Sequence, residues 1–234
     1  DGSDMQNTNL RDASFVEVDF TKIKNKSLAG ANMINTSFAH SHMSGVSLDS
    51  VIMIETNFTK ADLPEQDFTI ISNKLSYGSK FIEANLSNSN FEGVDLAPRE
   101  IITNTFQNKA SLVNLNHNAL ILNLYGEFET ILLLSSEVRG NDLVLEIVIF
   151  NNFARANLEN ANFKDADLRY AGFYLADLTN ANLSGADLRN AFFGNADLSN
   201  VNLSGANLEG TILYDAILTG ANLKCINHPI CESG

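Results

Sequence analysis

Residues 156–190 read ANLEN-ANFKD-ADLRY-AGFYL-ADLTN-ANLSG-ADLRN, and the five-residue period of this stretch decides the fold. Leu or Phe is the centre of each block, Ala stands two residues before it, and Asp or Asn usually stands between them. The centres begin at Phe153 and continue through Phe193, Leu198, Leu203, Leu208, Leu213 and Leu218 to Leu223. On a helix, five steps of about 100° carry each block about 140° round, so the apolar set would wrap every side. On a strand an odd period sends successive Leu to opposite faces. One interior can hold them all only if the backbone turns once per block. Near-right-angle turns close a square coil of about 20 residues, and coils then stack at about 4.8 Å like strands of a parallel sheet.

The runs Ala156-Asn157-Leu158-Glu159-Asn160, Ala166-Asp167-Leu168-Arg169-Tyr170 and Ala186-Asp187-Leu188-Arg189-Asn190 strongly resemble the A-(D/N)-L-x-x motif of pentapeptide-repeat proteins. That resemblance implies an all-β chain, a right-handed quadrilateral parallel β-helix, which agrees with the coil derived from the period.

The pattern extends toward the N-terminus in three phases. Leu10, Phe15 and Phe20 form the first; Leu28 through Phe68 in steps of five form the second; Phe81, Leu86, Phe91 and Leu96 form the third. The jumps from Phe20 to Leu28 and from Phe68 to Phe81 each equal a multiple of five plus three, which predicts small loops near 21–27 and 70–80. The expected organisation is degenerate coils over 1–97, an irregular connecting segment or degenerate coils over 98–142, regular coils over 143–224 and a capping tail over 225–234.

Residues 98–142 read ambiguously. Ile121, Leu124, Tyr125, Phe128 and Leu132 suit a helix, whereas Phe128, Leu133, Val138, Leu143 and Val148 fall on the phase of the C-terminal block. Irregular coils joining the two blocks into one solenoid are favoured over a separate domain. Leu143 to Phe150 suits a buried strand.

Composition narrows the function. The 234 residues carry a formal charge of −13, which opposes nucleic acid held through phosphates. Unbroken apolar stretches such as Ile131–Leu134 and Ile147–Phe150 reach only four residues, far short of a membrane span. None of His40, His42, His117 and His228 sits in a metal or triad signature, no Gly-rich phosphate loop occurs, and the repeat itself explains the carboxylates. No enzyme, cofactor or metal site is expected, and a carbohydrate-active β-helix would need a cluster of Asp, Lys and Arg that is missing.

Positions one coil apart stack, so the walls can be read in columns. Asn162, Asn182, Asn202 and Asn222 form a ladder, and Asp167 and Asp187 lie beside Arg169 and Arg189. One wall loses its Asp/Asn position at Gly172, Phe192 and Ile212. Tyr174, Leu175, Phe192, Ile212, Tyr214 and Ile217 form a candidate interaction patch, for an unknown protein partner or a homodimer. The chain's own tail, or irregular last coils, would be the structural alternative.

In that tail Cys225 and Cys231 flank a Pro. A small disulfide plug is expected, with free thiols or a metal site of Cys225, His228 and Cys231 as alternatives. The paired Cys and the start at Asp1 rather than Met slightly favour an extracytoplasmic compartment over a cytoplasmic one, although a trimmed start explains the second equally well.

Two classes of role remain: a non-enzymatic structural or protein–protein interaction solenoid, and a DNA mimic. The resemblance implies the second, since some pentapeptide-repeat proteins bind type II topoisomerases and protect them from quinolones. Arg169 and Arg189 interrupt the acidic columns and count against mimicry, so the first class is preferred.

Overall fold

The computed structural model describes residues 2–72, 76, 78–98, 101–106, 131–139 and 142–231. Its repeating unit is a corner. In the unit centred on Phe153, Ala156 N–H donates to Phe153 O at 3.0 Å, closing a β-turn whose third residue, Arg155, has φ 55°. A left-handed residue at that place is the mark of a type II turn. The corner recurs at Asn160, Asp165, Tyr170, Leu175, Asn180 and Gly185. Asn, Asp and Gly recur there because they tolerate left-handed backbone.

Between corners, each unit bonds both ways along the stack. Asn157 N–H donates to Ala84 O in the preceding coil, and Leu158 N–H to Asp177 O in the next. Isolated parallel bridges then run in columns, such as Asn152, Gly172, Phe192 and Ile212, each one coil beyond the last. The Asp/Asn position has a local cause: its Oδ1 accepts the N–H two residues on, as Glu159 N–H donates to Asn157 at 3.1 Å. Where Ser or Thr replaces the inward Ala, its hydroxyl bonds a carbonyl of the preceding coil, as Thr36 does to Leu10 O at 2.7 Å.

The interior is a stack of side chains rather than a globular core. Phe15, Phe38, Phe58, Phe81, Phe153, Phe173 and Phe193 lie ring over ring, with successive centroids 4.6–5.6 Å apart. Phe68, Phe91 and Phe163 stack in a second column. The register carries both phase jumps, although residues 73–75 and 77 of the second expected loop lie outside the described residues. Short 3-10 turns occupy Phe20–Lys22 and Lys24–Lys26. Bridges such as Asn9 to Asn32 and Asn57 to Lys80 enclose one coil plus the three extra positions that the jumps call for.

The described strands between 101 and 149 differ from the degenerate coils offered for 98–142, and from a start of regular coils at 143. Asp95 bridges directly to Asp167 and Lys80 to Asn152, although much more than one coil of sequence separates the members of each pair. The surplus chain therefore leaves the stack after the Leu96 unit and returns to it before Phe153. Within it, β1 (Ile101–Phe106), β2 (Ile131–Arg139) and β3 (Asp142–Ile149) form an antiparallel sheet in the order β1-β3-β2. The five-residue spacing of Leu133, Val138, Leu143 and Val148 matched the repeat by phase alone. No Ala and Asp/Asn pair precedes these residues to build inward positions and corners, and nearly continuous branched apolar residues favour extended strands. The helical spacing from Ile121 to Phe128 lies outside the described residues.

Asn151 marks the return. It is fully buried; its Oδ1 accepts Ser79 N–H at 2.9 Å, and its Nδ2 donates to Ser76 O at 2.9 Å and Leu96 O at 2.6 Å. One amide thus ties the second loop, the last residue run before the excursion and the first coil after it.

Candidate functional site

Four walls result from four units per coil, and they differ in chemistry. The third wall is the Asn ladder: Asn162 Nδ2 donates to Asn90 Oδ1, Asn182 to Asn162, Asn202 to Asn182 and Asn222 to Asn202, all at 3.1–3.3 Å. On the fourth wall Arg169 grips Asp167 and Arg189 grips Asp187, with closest contacts of 2.7 and 2.6 Å. Arg169 Nε also lies 3.8 Å from Asp187. Desolvation pushes the Asp187 carboxyl upward, but its hydrogen bonds from Arg189 and the charges of both Arg hold it below the usual carboxylate value. On both walls these side chains find their partners on the same wall.

The first wall departs from that rule. Gly172 leaves room for the Phe150 ring, whose Cε2 would lie 2.5 Å from a Cβ at that position. One rung on, Phe192 folds over Gly194, where a Cβ would meet its Cζ at 2.6 Å, and it faces Tyr174 at a centroid distance of 6.0 Å. Phe192 is therefore half-buried rather than fully outward. Ile212 and Tyr214 follow, 50% and 66% exposed, with Leu175 at a corner and Ile217 one wall further on. The six residues singled out in the sequence thus occupy neighbouring rungs along one edge of the solenoid. Phe150 was missed, since its place depends on where the excursion rejoins; the Gly172 gap is the signal that could have found it.

Around this edge the charges are acidic. Asp177 and Asp197 stand in the Ile217 column of the second wall, and Asp215 at the corner beside Tyr214. The hydrogen bond to Asp215 and that carboxylate's charge raise the Tyr214 phenol above its ordinary pKa.

At the C-terminal end Cys225 and Cys231 form a disulfide, with Cα atoms 5.0 Å apart. Ile226 bridges to Asn207, extending the last coil, and Ile230 and Cys231 pack against the core. Leu213, Leu218 and Leu223 of that coil remain partly buried. His40 is exposed at a left-handed corner, His42 Nδ1 pairs with Asp62 at 2.8 Å, and His228 Nδ1 accepts Ile230 N–H. Among the described residues no group of three His, Cys, Asp or Glu could hold a metal, and no helix is long and apolar enough to cross a membrane.

A family model of pentapeptide repeats matches in eight copies, over residues 27–63, 77–97, 152–185, 176–215 and 193–224, more than half of the chain. No curated protein matches. Among solved structures, the chain is similar to a pentapeptide repeat protein from the Arabidopsis thaliana thylakoid lumen, with 47% identity and a TM-score of 0.29. That match covers 30% of this chain and only 48% of the other. It is also similar to a trypsin-treated form of QnrB1, a plasmid-mediated fluoroquinolone resistance protein, at 15% identity over 97% of this chain and 88% of that one, with a TM-score of 0.54. HetL, involved in heterocyst differentiation regulation in the cyanobacterium Nostoc, is 20% identical over 95% of this chain and 90% of its own, with a TM-score of 0.25. The likeness to QnrB1 is one of fold. With its repeat family matched and its units set four to a coil, the chain belongs to the pentapeptide-repeat family and is a right-handed quadrilateral β-helix.

Proposed function

We propose that this protein is a non-enzymatic interaction solenoid whose binding surface is the edge formed by Tyr174, Leu175, Phe192, Ile212, Tyr214 and Ile217. The observation that carries the reading is the exposure of Ile212 and Ile217 at positions where the same columns elsewhere hold Asn152 and Asp197. Exposed apolar residues in a cluster favour association, whereas scattered ones need no explanation. Among the described residues the interior of the stack is filled by buried Phe, Leu, Met and Ala side chains, which supports a binding role over catalysis.

A DNA-like acidic face receives no support from the walls, because Arg169 and Arg189 neutralise Asp167 and Asp187. A supercoiling assay with this protein in large excess is expected to show no inhibition. An oxidising, extracytoplasmic compartment suits the Cys225–Cys231 disulfide.

Light scattering and partner capture, comparing wild type with Phe192→Asp and Ile212→Asp, test the surface. Loss of association in the variants is the expected result. Association unchanged in both would place the contact elsewhere and end the proposal.

A further inference from the structure

We infer that the Cys225–Cys231 bond is a thiol–disulfide exchange site whose substrate is a dithiol, attacked at the Cys231 sulfur, and that its reduction lifts residues 227–231 off the end of the stack. Nothing in it depends on the binding edge of the first wall, and either can fail without the other.

The two cysteines stand differently in the coil. Ile226 bridges Asn207, so Cys225 takes the inward place that Ala206 takes before Asn207, and that Ala166 and Ala186 take in the coils below. Its neighbour is fixed to the stack, since Ile226 N–H donates to Ala206 O at 2.9 Å and Leu208 N–H to Ile226 O at 3.0 Å. Cys225 is 6% exposed and belongs to the core, whereas Cys231 is only partly buried and packs against the core from outside. Cys231 also sits on a turn that bonds only to itself: Ile230 N–H donates to His228 Nδ1, and Cys231 N–H to His228 O. The last hydrogen bond from the tail to a coil is that of Asn227 Nδ2 to Asn207 Oδ1, at 3.0 Å. Among the described residues none joins 228–231 to the stack, so the disulfide and the apolar contacts of Ile230 and Cys231 hold the tail in place.

The rung beneath needs a cover. Phe193, Leu198 and Leu203 donate their N–H groups to the Ile212, Ile217 and Asn222 carbonyls of the next coil. One coil on, the N–H groups of Leu213, Leu218 and Leu223 meet no acceptor among the described residues. The side chains of these three, with Ala216 and Ala221, are partly buried, where the same places one coil below are fully buried. Unpaired main-chain groups around apolar side chains make an edge prone to association. The tail shields that edge, and one covalent bond keeps the tail there.

The exchange balances. One thiolate of the dithiol attacks Cys231 Sγ, the outer sulfur, and forms a mixed disulfide as the Cys225–Cys231 bond breaks. Cys225 leaves with the electron pair and takes up a proton. The second thiol, as thiolate, then attacks the reductant's own sulfur in the mixed disulfide, and Cys231 leaves and is protonated in turn. The protein disulfide gains two electrons and two protons, and the dithiol departs as a disulfide. A dithiol suits the site better than a monothiol, because Cys225 stays anchored six positions away and would reverse a mixed disulfide that no second thiol resolves.

The test uses the full, folded chain. Dithiothreitol supplies the dithiol. Glutathione, quenched early with acid and mapped by peptide mass, reports which sulfur is attacked. Anilinonaphthalene sulfonate emission reports apolar surface, and circular dichroism follows the fold. Ile230→Asn loosens the tail with the disulfide intact, and Cys231→Ser removes the bond without entering the core.

Dithiothreitol is expected to reduce the folded chain with its circular dichroism retained, and to raise dye emission at least about threefold. Glutathione should be found on Cys231 at least about tenfold more often than on Cys225. Ile230→Asn should be reduced about fivefold faster than wild type, and Cys231→Ser should show the raised emission without any reductant. Reduction that occurs only after urea has unfolded the chain would overturn the exchange site. Adducts shared equally between the two sulfurs would overturn the direction of attack. Dye emission unchanged in the reduced chain would overturn the lifting of the tail, whether or not Cys231→Ser folds. Loss of the β signal on reduction would overturn it too, by making the bond a requirement of the coil.

Discussion

Leu175 occupies a corner at φ 57° with its side chain 42% exposed, a place where most corners hold Asn, Asp or Gly. A Leu in left-handed backbone costs about 1 kcal/mol relative to residues that accept it. The fold gains little from it, which is why it is assigned to the proposed binding edge. Leu175→Asn is expected to raise stability by about 1 kcal/mol in chemical denaturation while weakening partner binding; a loss of stability would show that Leu175 serves the fold. Asn151 is the opposite case. Replacing it by Ala strands Ser79 N–H and the Ser76 and Leu96 carbonyls in the interior, and a loss of about 3 kcal/mol is expected. Urea unfolding measures it, and a loss under about 1 kcal/mol would mean that water replaces the amide.

At the scale of the column, each rung rests on its neighbours, so defects are felt locally and transmitted along the stack. Phe173 is fully buried between Phe153 and Phe193, and Phe173→Ala is expected to cost about 4 kcal/mol on thermal or urea unfolding. The fourth wall adds pH dependence. Asp187 titrates lower in the folded chain than its unfolded value near 3.8, so its contribution is present above that pH and is lost as pH falls through the lower folded value. Acid titration should therefore show the stability gap between wild type and Asp187→Asn closing below about pH 4; a gap independent of pH would remove the Arg189 contact as its cause. The regular columns were legible in the sequence because period, inward Ala and outward Asp or Asn agree over residues 153–208. At residues 143–150 the strand was legible from the branched apolar run, but its place outside the coil was not, since Leu143 and Val148 keep the phase while no Ala and Asp/Asn pair precedes them. The edge was legible for a related reason: on a strict repeat, Phe192, Ile212 and Ile217 stand out as exceptions. The half-burial of Phe192 and the arrival of Phe150 depend on ring placement over Gly194 and Gly172, which no period encodes.

Over the whole molecule, the coil is continuous and the 98–150 excursion is a graft on it. The disulfide closes the tail loop and restricts the unfolded chain by about 2 kcal/mol in the chain-entropy picture, so reduction should lower the melting midpoint without abolishing the fold. The most direct test of the continuous coil follows from the register. Asp95 and Asp167 are bridge partners, and replacing residues 98–150 by one glycine restores a separation of one regular coil between them. The same change sets Leu96 and Phe153 in adjacent units of one phase. The glycine falls at a corner, where left-handed backbone is free to it. The measurement is thermal unfolding of this shortened chain by circular dichroism. One cooperative transition with a midpoint within about 5 °C of wild type is the predicted result. A chain that fails to fold would contradict the account, by showing that the excursion is a part of the coil rather than an addition to it.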